Sequence, residues 1–143
     1  MNADFLHPEI IKRTRTKLEN RDYDGAIYDA TTYLEARLQE IGGTKTINTS
    51  LVEEVFRNGE IKISSNNDRN IGAKNLFDGT FRLIRNDRAH DKSIEEKTEI
   101  TCDKEADCLM YLGFISLLIT YLERNIVTRP TIDTHNISLN IEL

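Results

Sequence analysis

The strongest constraint on this chain is the spacing of Tyr23, Ala26, Ile27, Ala30, Tyr33, Leu34, Leu38 and Ile41, which recur at steps of three and four. That period is the one a helix needs to gather its apolar side chains on one face. The segment is therefore a long amphipathic helix, and its stripe demands partner helices to cover it. Asp22 or Asp24 supplies the N-cap, and Gly42-Gly43 stops the helix. The rest of the chain offers the partners. Pro8 suits the first turn of a helix carrying Ile10, Ile11 and Leu18, and residues 20–22 break it. Ser50 followed three residues later by Glu53 reads as a capping box that opens a short helix through Phe56, ended by Asn58-Gly59. A fourth helix is expected over about residues 71–89, with Leu76, Phe77, Phe81 and Ile84 buried. Residues 91–100 are charged and loop-like. Thr101 or Asp103 then caps a last long helix that ends near Asn125.

Two segments have a different period. Ile61-Lys62-Ile63 reads as a very short strand, preceding a polar loop over residues 64–67. Beyond Pro130, the residues Ile137, Leu139, Ile141 and Leu143 alternate at period two. The tail is thus either a strand, paired with residues 61–63 or with a partner chain, or a mobile end. The fold expected is all-α: a bundle of four to five helices with a minor strand pair (61–63 and the C-terminal tail). Residues 1–127 form the helical domain and residues 128–143 the tail.

Composition narrows the class. The chain has 143 residues, enough for one domain with its own core, and with 38% hydrophobic against 30% charged residues disorder is not the expected reading. The N-terminus lacks a basic stretch followed by an apolar one, so no signal peptide is expected. The apolar run over residues 108–122 is 15 residues long and interrupted by Tyr, Ser, Thr and Gly, shorter than the roughly 20 residues that cross a bilayer. It reads as a core helix, and the expectation is a cytoplasmic protein with no membrane association. Cys102 and Cys108, six apart with no nearby His, predict a reduced pair and neither metal nor cofactor.

The net charge of −5 gives no general attraction to nucleic acid. Residues 68–92 differ: Arg69, Lys74, Arg82, Arg85, Arg88 and Lys92 outnumber Asp68, Asp78, Asp87 and Asp91, which makes the segment +2 and leaves the remainder at −7. One reading is a local basic patch for RNA, the other a solvated helix face of mixed charge.

His90 is the candidate for chemistry. Of the other two histidines, His7 and His135 lie near the termini. His90 follows Arg85, Asn86 and Arg88 at a helix end, and Asn86 and His90 share a helical face. Metal-free RNA cleavage needs a base for the 2′-hydroxyl proton, an acid for the 5′-oxygen and a cation for the phosphorane. Histidine serves as base or acid near neutrality, and arginine presents a permanently charged fork to phosphate. Arg85 and His90 are nevertheless about 140° apart on a regular helix. They converge only if the helix ends or bends before His90, or if two identical helices pair. The bland alternative is a helix-terminal His interacting with the helix dipole.

The stretch Leu76-Phe77-Asp78-Gly79-Thr80-Phe81-Arg82-Leu83-Ile84-Arg85-Asn86-Asp87-Arg88-Ala89-His90 resembles the core of the HEPN superfamily, and within it the Ymh-like family of prokaryotic proteins linked to abortive infection. Asp24-Gly25-Ala26-Ile27 through Leu34-Glu35-Ala36-Arg37 resembles that family's second helix, and the likeness spans most of residues 8–125. The resemblance implies a metal-independent endoribonuclease of phage defence or toxin type. It also implies a homodimer whose two Arg-x4-His motifs face one cleft, products ending in a 2′,3′-cyclic phosphate, and an antitoxin or other regulatory partner. By position, Arg85 and His90 are the catalytic pair, with Asn86 as the polar residue after the arginine. Arg88, Lys74 and Arg82 are the expected RNA-phosphate contacts. Glu35 falls in the second matching block, where one reading has it supporting the site and the favoured one has it as a solvated surface carboxylate. Some HEPN toxins carry a modifiable Tyr two residues after the His; here that position is Lys92. The competing expectation is a non-catalytic HEPN module that dimerises or binds a partner or nucleotide.

Overall fold

The computed structural model describes residues 2–57, 61–85 and 105–125, and within them the chain is an all-α bundle. Helix α1 (Pro8–Glu19) opens on His7, whose Nδ1 accepts from the Glu9 amide at 3.1 Å, with Pro8 in the first turn where no N–H is required. After a turn through Arg21, the Asp22 carboxylate caps α2 (Tyr23–Gly42) by accepting from the Gly25 amide at 3.0 Å. Helix α2 ends at Gly43, whose φ of 65° is the left-handed region that glycine enters at no steric cost. Gly42 is needed for a different reason: a Cβ there would lie 2.3 Å from the Val55 Cγ1.

Helix α2 is the axis of the bundle. Ala26, Ile27, Ala30, Leu34 and Leu38 are buried, as the spacing requires, against α1, α5 and the end of α4. Helix α3 (Asn48–Val52) runs on into a wider π-helical turn (Glu53–Arg57). The capping box expected at Ser50 and Glu53 is not used. The helix starts two residues earlier, at Asn48, with no side-chain cap from Ile47, because the Glu35 carboxylate of α2 takes the Asn48 amide at 2.8 Å.

The strand expected at residues 61–63 does not form, and the tail with which it was to pair lies outside the described residues. Ile61 and Ile63 do point inward while Lys62 is exposed, but burial alone produces that alternation. The Ile61 amide goes to the Val55 carbonyl at 2.7 Å, and the Asn70 side chain takes the amides of Ile63 and Ser64 at 2.9 Å each. The amides of Ile61, Ile63 and Ser64 are thus already taken by partners other than a neighbouring strand.

Helix α4 (Asn67–Gly79) begins at its Asn66 cap and continues as a second π-helical stretch (Thr80–Arg85). Its buried stripe is Ala73, Phe77, Thr80, Phe81 and Ile84. Leu76, expected inside, is 50% exposed. The Thr80 hydroxyl donates to the Leu76 carbonyl at 2.7 Å, at the point where the wider winding starts. Ala73, Phe77, Phe81 and Ile84, at steps of four, four and three, hold the inner line, and Leu76 falls one position outside it.

Helix α5 (Glu105–Asn125) buries Cys108, Leu112, Ile115, Leu118, Ile119 and Leu122. Thr101 and Asp103, its expected caps, lie outside the described residues. By length and composition alone Glu105–Arg124 would suffice to cross a membrane, yet here one face of it is core packed on α2. Its far end is tied to the start of α1: His7 Nε2 and Glu123 Oε1 are 2.9 Å apart, and the Ser116 hydroxyl accepts from the His7 amide at 3.0 Å.

Phe77 is fully buried and stacked obliquely on Phe56 at 5.2 Å between ring centroids. Phe77→Ala should cost about 3–5 kcal/mol in chemical denaturation, whereas truncation of the exposed Ile47 to Ala should stay within about 0.5 kcal/mol.

Candidate functional site

Arg85 is the last described residue of the second π-helical stretch, and its side chain turns inward rather than to solvent. It ends between α2 and α3. Its Nη1 donates to Glu35 Oε2 at 3.2 Å and to the Asn48 side-chain oxygen. The guanidinium carbon stands 5.4 Å from the centre of the Tyr28 ring, within cation–π range. Tyr28 and Glu35 are seven residues apart on α2 and so present to the same side of it.

Local sequence explains how the three elements meet. Asn48 has a φ of 57°, a left-handed conformation that asparagine tolerates better than most side chains. Its backbone amide then faces Glu35 and its side-chain oxygen faces Arg85. One carboxylate oxygen thus serves as cap for α3 and counter-ion for α4. Both charged side chains are largely out of water, Arg85 at 12% and Glu35 at 8% exposure. A buried pair of this kind is costly to break from one side, because the survivor keeps its charge without a partner. The Arg85 Nε is buried and finds no hydrogen-bond acceptor among the described residues.

The other residues expected at the site go elsewhere. Lys74 turns toward the end of α3, where its Nζ lies 3.2 Å from Glu53 Oε2. Lys74 and Arg57 together hold the Glu53 carboxyl below the usual carboxylate range, with the Lys74 hydrogen bond as the largest cause. Arg82 points outward, paired along its own helix with Asp78 at 2.8 Å. Arg85, Lys74 and Arg82 therefore face three directions and make no single basic patch among the described residues. Asn86, Arg88 and His90 lie outside the described residues.

Two members of the cluster were not legible as site residues. Nothing in the sequence marks Tyr28 or Asn48. Glu35, read there chiefly as a solvated carboxylate, is buried. A signal for it existed: Glu35 lies four residues after Thr31 and three before Leu38, inside the apolar stripe of α2, where a surface carboxylate has no place. His7, set aside for its terminal position, is indeed occupied structurally, with both ring nitrogens engaged. No group of three or more His, Cys, Asp or Glu is placed to hold a metal ion among the described residues.

A family model described as a protein of unknown function (Hypoth_ymh) matches residues 4–122. No curated protein and no solved structure matches the chain.

The buried pair predicts asymmetric mutational costs. Glu35→Ala should destabilise the fold by about 3–5 kcal/mol by stranding Arg85, and the double change Glu35→Leu with Arg85→Met should recover most of that loss in the same denaturation assay. At the exposed end, Lys74→Ala should raise the Glu53 pKa toward its ordinary value, read by NMR titration of its carboxyl. Because that pKa is depressed in the folded chain, whatever stability the contact gives is present above the ordinary value and fades as pH falls through the lowered one.

Proposed function

This chain belongs to the Hypoth_ymh family of proteins of unknown function, and we propose that it is a metal-independent endoribonuclease of HEPN type, acting in phage defence or as a toxin. The observation that carries the reading is the fixing of Arg85. A permanently charged guanidinium is held by Glu35 and Asn48 at the end of α4, directly before Asn86-Asp87-Arg88-Ala89-His90 in the chain. An arginine positioned in advance loses little on meeting a developing charge, which is where electrostatic catalysis gains most.

In the reaction proposed, the 2′-oxygen of the RNA attacks the adjacent phosphorus and the bond from phosphorus to the 5′-oxygen breaks. A base takes the 2′-hydroxyl proton, and an acid returns a proton to the leaving 5′-oxygen. His90 has the chemistry for either role near neutral pH. Arg85 balances the charge on the pentacoordinate phosphate, and Asn86 orients the ribose or the imidazole. The products are a 2′,3′-cyclic phosphate and a free 5′-hydroxyl. Arg88, with Lys74 and Arg82 once released from their carboxylate partners, adds phosphate contacts. A homodimer contributes two motifs to one cleft, a regulatory partner restrains the activity, and the setting is cytoplasmic.

A second reading is favoured by one feature of the same cluster. Because Nη1 of Arg85 is already committed to Glu35 and Asn48, the arginine also suits a purely structural pin in a non-catalytic dimerisation or partner-binding module.

Cleavage of RNA in the presence of EDTA, with cyclic-phosphate ends, is the expected result for the purified chain. His90→Ala should abolish it with the melting temperature unchanged, and Arg85→Lys should reduce it by roughly 10²-fold or more, since an ammonium cannot replace the bidentate fork. Cleavage that survives His90→Ala, or growth slowed equally by wild type and His90→Ala, removes the nuclease in favour of the structural module.

A further inference from the structure

A groove of about 190 Å³ runs along the outer side of α1. Ala3, Leu6, Ile11 and Leu18 line it, and the exposed Arg15 and Glu19 border it. Ile11, Arg15 and Leu18 follow at steps of four and three and so share one face of the helix, while Ile10 and Thr14 on the neighbouring face enter the core. The facing wall is the turn before α1, closed by the Leu6 amide on the Ala3 carbonyl at 3.0 Å. That wall is fixed to α5. Phe5 lies over Gly113, where a Cβ would stand 3.0 Å from the Phe5 ring, and the His7 amide is held by Ser116. The groove thus has firm sides and an apolar floor, and no described element covers it.

The last turn of α5 stands beside the head of this groove. Glu123 meets His7 at 2.9 Å and Arg37 of α2 at 3.6 Å, and α5 ends two residues later at Asn125. Residues 126–143 lie outside the described residues, but their order carries one regular pattern. Ile137, Leu139, Ile141 and Leu143 alternate with Ser138, Asn140 and Glu142. An extended backbone puts residues of that order into one apolar row and one polar row on opposite faces.

We propose that this tail folds back over α1 and seats its apolar row in the groove, with Ser138, Asn140 and Glu142 toward water. The lengths agree. Residues 126–136 can span about 36 Å, against about 15 Å along α1 from Pro8 to Leu18. Three successive apolar residues of an extended segment cover about 13 Å, and Ile11 and Leu18 are about 10 Å apart along the helix. Closing a connection of that size costs little more than closing a short one. A tethered segment also meets the groove at an effective concentration on the order of millimolar, an advantage that a separate partner lacks. Two other places for the tail fit less well. A ladder with residues 61–63 would have to break the bonds that the Ile61 and Ile63 amides already make. The groove that Leu76, Gly79 and Leu83 of α4 form with Phe114 lies about 16 Å back along α5 from Asn125, whereas the α1 groove starts one residue from the contact between His7 and Glu123. So placed, the tail fastens the end of α5 to α1, and the placement draws nothing from the nuclease reading.

Methyl NOE spectroscopy of the full chain, labelled at isoleucine and leucine, should show cross-peaks from Leu139 or Ile141 to Ile11 or Leu18. In a mixture of labelled and unlabelled chains, an isotope-filtered spectrum should show none of these, because they arise within one chain. Leu139→Asn with Ile141→Asn should uncover the groove. Amide exchange over residues 11–18 should then quicken about tenfold or more, since each buried aliphatic side chain shifts an opening equilibrium by about that factor, while Leu34 and Leu38 of α2 keep their rates. Leu18→Asn should abolish the same cross-peaks from the groove side. Cross-peaks from the tail to Ile61 and Ile63 would place it in a ladder, cross-peaks to Leu76 and Leu83 would place it in the other groove, and cross-peaks between chains would place it on a second copy. Each of these results overturns the proposal. So does a tail with no cross-peaks to the bundle, or exchange over residues 11–18 that the two asparagines leave unchanged.

Discussion

Three helices of this protein meet on one carboxylate. Glu35 projects from the middle of α2, accepts the first amide of α3 from Asn48, and neutralises Arg85 at the end of α4. Taking both charges out of water is costly, and the pair repays that cost only if the remaining polar atoms are also satisfied. Most are: the Asn48 side chain takes a second bond from Arg85, and the Tyr28 ring lies within cation–π range of the guanidinium. The exception is the Arg85 Nε, a buried donor without an acceptor among the described residues. A donor left so typically costs about 1–3 kcal/mol.

Other irregular features gather around the same point. Asn48 has a left-handed backbone, α3 widens into a π-helical turn over Glu53–Arg57, and α4 does so over Thr80–Arg85, ending on the arginine itself. Each departs from the low-energy winding of an α-helix. Such departures persist where the surrounding structure enforces them, and they concentrate at functional sites. The rest of the bundle provides that enforcement. The inner line of α4 through Phe77, Phe81 and Ile84 is locked in the core, so its last turn cannot unwind to release Arg85 without exposing large apolar groups. At the opposite side, His7 joins the start of α1 to Ser116 and Glu123 of α5, which holds the two helices that cover the other flank of α2.

The bundle leaves a division between inside and outside on α4. Its inner line is core, its end is the buried ion pair, and its outer strip of leucine and glycine faces solvent beside Phe114. A single chain has no element among those described that covers this strip.

The apolar period and end signals were enough to fix the all-α class, the extent of α2 with Asp22 among its two cap candidates and its glycine stop, and the last helix as a core helix, because local spacing and end signals act within a few residues. Arg85 was also singled out from the order of residues, whereas Asn86, Arg88 and His90 lie outside the described residues. Long-range contacts decided the rest. Glu35 was read as a surface carboxylate because its partners lie 13 and 50 residues away. The capping box at Ser50 was overridden by that same carboxylate, and the strand at residues 61–63 by the side chain of Asn70. Leu76 was placed inside by spacing, but the buried line through Ala73, Phe77, Phe81 and Ile84 passes one position to its side. Periodicity determines which face of an element seeks cover. Which groups satisfy its polar atoms, and whether a charge there is buried or free, depends on what the folded chain brings alongside, and only the tertiary structure supplies that.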